Sequence, residues 1–89
     1  MAEKDFSKLL YSAVMTLKSE EECQHLFEDL CTPKEIKSIA QRFAVAKMLS
    51  EGKIYYDIVE ETGASTATIS RVNRTMSKGT KIVLERLKD

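Results

Sequence analysis

The sequence predicts an all-α fold, a small helical bundle that carries a helix-turn-helix. Three observations lead there. Apolar residues recur at i, i+3, i+4 and i+7 along most of the chain, helix breakers are confined to Pro33 and three glycines, and two capping boxes mark helix starts. The predicted first helix runs from about Asp5 to Lys18, with Phe6, Leu9, Leu10, Ala13, Val14 and Leu17 on one stripe. Ser19 caps the second, and Glu22 three residues on completes a capping box. Its stripe is Cys23, Leu26, Phe27, Leu30 and Cys31. Thr32 caps the third, with Pro33 at its first position and Glu35 closing a second box. That helix carries Ile36, Ile39, Ala40, Phe43, Ala46 and Leu49, and Gly52 stops it in the left-handed conformation.

The segment KIYYDIVEETGASTATISRVNRTMSK then needs two helices and a tight turn. Ile54, Ile58 and Val59 form the apolar edge of a helix of about two turns. Gly63 sits where the chain must bend, a place suited to positive φ. Ser65 is a good N-cap for the next helix, accepting an amide near Ala67 or Thr68. Ile69, Val72 and Met76 face inward, while Thr66, Ala67, Ser70, Arg71 and Arg74 occupy the opposite face. That face is small and polar at its start and basic further along, as a helix entering the major groove requires. Serine and threonine bond bases or phosphates, an alanine touches a thymine methyl, and arginines reach phosphates or a guanine edge. The predicted organisation is one domain over 1–89, with dimerisation helices over 1–51, the helix-turn-helix over 53–78 and a C-terminal helix over 79–89.

Charge agrees with this division. The formal net charge is zero, but residues 1–31 carry −4 and the rest +4. From Gly63 to Lys81 there are four bases, Arg71, Arg74, Lys78 and Lys81, and no acid. An acidic support and a basic working surface suit double-stranded DNA as partner. A chain of 89 residues is marginal alone, and a homodimer is the usual remedy where no disulfide or metal helps. Cys23, Cys31 and His25 match no common zinc spacing, so neither metal nor cofactor is expected. The N-terminus is too acidic and polar for a secretory signal, and no apolar run approaches about 20 residues, so a cytoplasmic protein without a membrane span is expected.

The words LCTPKEIKSIAQR (Leu30–Arg42) and TGASTATISRVNR (Thr62–Arg74) carry a family resemblance. With the helix between them the chain resembles the tryptophan repressor superfamily, closest to its TrpR-related YerC/YecD branch of Gram-positive bacteria. The resemblance implies an intertwined homodimer whose N-terminal and third helices interlock across the two-fold. It implies a repressor of amino-acid or related metabolic genes. It places Thr66, Ala67 and Ser70 at base-contacting positions and Thr68 where the DNA and effector sites meet; Ser65, Arg71, Arg74 and Lys78 complete the expected DNA-binding set. It places Thr32, Arg42, Arg71 and Thr75 around a small-molecule effector between the third and recognition helices. Two guanidinium planes suit a flat or carboxylated ligand. Val72 stands where the tryptophan repressor has glycine, and its bulk crowds an indole, so tryptophan is not the expected effector. The first helix of the reading head is also one residue shorter than in the tryptophan repressor.

Two other function classes compete. A helix-turn-helix can serve as a protein-interaction module without sequence-specific DNA binding, but protein interface cores are depleted in lysine, and the stretch Gly63–Lys81 holds two. An enzyme would need a convergent nucleophile, base and orienter, and the one histidine, His25, lies in the acidic half away from the Ser/Thr cluster.

Overall fold

The computed structural model describes residues 4–88, and among them it contains six helices and no strand. They are α1 (Ser7–Val14), α2 (Glu20–Leu30), α3 (Pro33–Ser50), α4 (Tyr55–Thr62), α5 (Thr66–Thr75) and α6 (Lys78–Arg86). The chain divides into two compact units, Met1–Ile36 and Lys37–Asp89, the division falling just inside α3.

In the first unit, local hydrogen bonds decide where helices begin and end. The Asp5 carboxylate accepts the Ser7 amide at 2.9 Å, and hydrogen bonds from Ser7 hold that carboxyl below the ordinary aspartate value. α1 is shorter than its stripe suggests. Beyond Val14 the backbone tightens into i→i+3 bonds, Thr16 N–H to Ala13 O (3.0 Å) and Leu17 N–H to Val14 O (3.1 Å). The Thr16 hydroxyl also donates to Ala13 O at 2.7 Å, so it competes for a carbonyl that a longer helix would use. Ser19 caps α2, its Oγ accepting the Glu22 amide at 3.0 Å. The reciprocal arm lands one residue early, because Glu22 Oε1 accepts from Lys18 N–H (2.8 Å) rather than from the cap itself. Glu20, Glu21 and Glu22 in the first turn complement the helix dipole. At α3 both arms of the box close: Thr32 Oγ1 accepts from Glu35 N–H (3.1 Å) and Glu35 Oε1 from Thr32 N–H (2.8 Å).

The second unit holds the core. Val45, Ala46, Ile58, Ala64, Ile69 and Val72 are buried together, with Met48, Leu49, Tyr55, Val59 and Met76 packed against them. α3 enters that core through part of its apolar stripe, Ala46 and Leu49, together with Val45. Val45 and Ala46 are inside, while Ile39 and Phe43 remain 45% and 36% exposed. α3 ends in a Schellman motif: Gly52 has φ +82°, its N–H donates to Leu49 O, and Lys53 N–H donates to Met48 O, both at 3.1 Å. α4 ends on Gly63 at φ +72°, with Gly63 N–H on Val59 O at 2.9 Å.

A Cβ at Gly63 would meet nothing within 4 Å, so the cost of replacing it is purely conformational. Gly63→Ala should lower unfolding free energy by roughly 1–2 kcal/mol, the penalty of a left-handed L-residue. Gly79, inside α6 and equally uncrowded, has the opposite sign. Gly79→Ala should raise stability by up to about 1 kcal/mol through helix propensity. Urea denaturation of the two variants checks both directions.

Candidate nucleic-acid interface

α4 and α5 pack against each other across the Gly63 turn, and the sequence of α5 determines what each of its faces does. Ser65 is extended (φ −72°, ψ 158°) and its Oγ accepts the Thr68 amide at 3.1 Å. That bond satisfies one of the free donors at the start of α5, so the helix begins at Thr66. Ile69 and Val72 are buried, fixing the rotation of α5 on its support. Thr66, Ala67, Arg71 and Arg74 are consequently exposed, and Ser70 and Thr68 half-buried. The Thr68 Oγ1 accepts from the Ser65 hydroxyl at 3.1 Å, which ties it to the cap.

α5 ends before residue 78, the expected limit of the helix-turn-helix. It stops at Thr75, and the Met76 amide donates to Val72 O at 2.8 Å as the backbone becomes extended. Lys78 therefore does not continue α5 but opens α6, after the extended cap Ser77. Lys78 and Lys81 are both exposed there. The ion pairs among the described residues are Lys47–Glu51, Lys53–Glu61 and Lys88–Glu85. None of them involves Arg71, Arg74, Lys78 or Lys81, so the acid-free stretch of sequence is a stretch of uncommitted cations in space.

Between α3 and α5 lies a cleft of about 350 Å³, lined by Ser38, Gln41, Arg42, Thr68, Arg71, Val72 and Thr75. Three of the four residues expected around an effector, Arg42, Arg71 and Thr75, meet there. The fourth, Thr32, does not line the cleft; it belongs to the first unit, where its hydroxyl caps α3. Thr75 turns its hydroxyl proton back onto Arg71 O at 3.0 Å. Val72 is part of the wall, and apart from it the cleft is lined by polar and charged side chains. Ser38 and Gln41 were missed in the sequence. Ser38 lies four residues before Arg42 and so shares its face of α3, a spacing signal that could have found it. Gln41 had no such signal.

Cys23 and Cys31 are free, half-buried thiols, and His25 is exposed. Among the described residues no helix is long and apolar enough to cross a membrane.

Comparison with known proteins yields consistent matches. The family model for the Trp repressor protein matches residues 6–88. The chain is 51% identical over 83 residues to YerC of Bacillus subtilis (strain 168), an uncharacterised protein, spanning 90% of this chain and 80% of YerC. The crystal structure of a TrpR-like protein from Eubacterium eligens ATCC 27750 superposes with a TM-score of 0.86 at 53% identity, over 90% of this chain and 86% of that one. A candidate Trp repressor from Staphylococcus aureus superposes at 0.83 with 42% identity, over 96% and 95% of the two chains.

Proposed function

This chain belongs to the Trp repressor family, and we propose that it is a dimeric, sequence-specific transcriptional repressor whose DNA binding is set by a small anionic effector. The family is a regulatory, DNA-binding one and not an enzymatic one. One observation carries the reading. α5 buries Ile69 and Val72 and thereby turns outward a face that begins with Thr66 and Ala67 and continues to Arg71 and Arg74, with no ion-pair partner for either arginine among the described residues. Thr66, Ala67 and Ser70 read base edges in the major groove. Ser65, Thr68, Arg74 and Lys78 position the helix on the backbone, and Arg71 serves the DNA, the effector or both. Titration of the purified protein against genomic DNA fragments at two salt concentrations tests this. A minority of fragments should bind well above bulk DNA. Uniform binding, with and without a metabolite extract, would leave a protein-interaction module as the better account.

The effector reading rests on Arg42 and Arg71, two guanidinium groups on one polar cleft and in no ion pair among the described residues. Such a pair favours a carboxylate or another small anion. At a hundred times its dissociation constant such a ligand stabilises the folded protein by about 2.7 kcal/mol, a rise of about 10 °C or more in melting temperature for a chain of this size. Arg42→Ala should abolish the shift while leaving basal DNA binding in place. Free tryptophan should do little, because the Val72 side chain occupies the wall where an indole would lie. A saturable shift with tryptophan overturns that point.

A further inference from the structure

We infer that Gln41 is a positioning residue that fixes the turn of the helix-turn-helix to α3 and links occupancy of the α3–α5 cleft to the placement of α5. The inference rests on the effector reading above for its second half only. Gln41 Nε2 donates to the carbonyl of Thr62 at 3.0 Å, a half-buried bond across 21 residues of sequence. It is the one side-chain hydrogen bond among the described residues that joins α3 to the α4–α5 pair. Its acceptor is well chosen for leverage. Thr62 is the last residue of α4, so its carbonyl has no partner within the helix.

Around that carbonyl the chain is already held tightly. Thr62 Oγ1 donates to Ile58 O (2.7 Å) and accepts from Ala64 N–H (3.1 Å), Gly63 N–H donates to Val59 O (2.9 Å), and Ala64 is 2% exposed. The turn is thus a rigid piece, and Gln41 ties that piece to α3. Gln41 also lines the cleft beside Arg42, Thr68 and Arg71. A carboxamide has two N–H donors and an acceptor oxygen. One donor holds Thr62; no protein partner engages Oε1 among the described residues. A ligand that bonds Gln41 therefore pulls on the group that positions Gly63 and Ala64, two residues ahead of the recognition helix.

The test uses the full-length protein and Gln41→Met, which keeps length and removes every donor. Amide hydrogen exchange followed by NMR should show Gly63 and Ala64 exchanging about three- to tenfold faster, the loss expected for one hydrogen bond, while Ile69 and Val72 keep their rates. Unchanged rates at Gly63 and Ala64, or an equal acceleration at Ile69 and Val72, would overturn the positioning role, since the second outcome is global destabilisation.

Titration with inorganic phosphate reads the linkage. In the parent chain the Gly63 and Ala64 amides should shift with the same saturation curve as Thr68 and Arg71; in Gln41→Met the latter pair should still shift and the former should not. Equal responses in both proteins overturn the linkage, as does a parent in which only Thr68 and Arg71 respond. Silence at all four positions overturns the effector reading beneath it, and the exchange rates still decide the positioning role.

Discussion

DNA affinity should fall about a thousandfold when monovalent salt is raised from 50 to 200 mM. Arg74, Lys78 and Lys81 are exposed and free of ion pairs with acids among the described residues, and a two-fold dimer presents each of them twice. About six neutralised phosphates release about five counterions, a logarithmic slope of about −5. Lys78→Ala deletes one contact per subunit. It should flatten the slope by about two and weaken all sequences alike, because a phosphate contact carries no base information. Ser70→Ala should behave differently, costing roughly 1–3 kcal/mol on the preferred fragment, changing which bases are tolerated and leaving the salt slope alone. A slope near zero, or a Lys78→Ala variant that alters preference without altering slope, would contradict the assignment of roles.

A single aspartate on α1 should take the protein apart into monomers. Phe6, Leu9 and Leu10, on the apolar stripe, are 65%, 69% and 43% exposed in the single chain, and α1 buries no residue. An exposed apolar stripe of this kind marks an interaction surface, and in the proposed dimer a second copy would cover it. In a monomer Leu9→Asp would be a surface change worth at most about 0.5 kcal/mol. In a dimer it buries an unpaired charge once per subunit, at about 3–5 kcal/mol each, enough to raise the dissociation constant by several orders of magnitude. Sedimentation at micromolar concentration should give about 20 kDa for the parent, twice the chain mass of 10.1 kDa, and the monomer mass for Leu9→Asp. Phe43→Asp, at the half-open position on α3, should do the same or unfold the chain. A parent sedimenting as a folded monomer would refute the dimer outright.

What the sequence determined by itself is the set of properties that depend on residues within about four positions of one another. Ser19, Thr32 and Ser65 cap helices because a hydroxyl and an amide three residues on are brought together by any helix that starts there. Gly52 and Gly63 close helices because their positive φ costs glycine nothing. Six helices, the helix-turn-helix and the family follow from such local signals read in order. What only the tertiary structure decided is everything that needs a second element. Helical spacing marks a face as apolar without saying what covers it: of the α3 stripe Ala46 lies in the core, while Ile39 and Phe43 stay 45% and 36% exposed in the single chain. The cleft draws Ser38 and Gln41 from α3 to meet Arg71 and Thr75 from α5, and it leaves out Thr32, whose hydroxyl is held by its own cap. Gln41 bonds a carbonyl 21 residues away, and a pattern with a period of 3.6 residues contains no information about a partner at that distance.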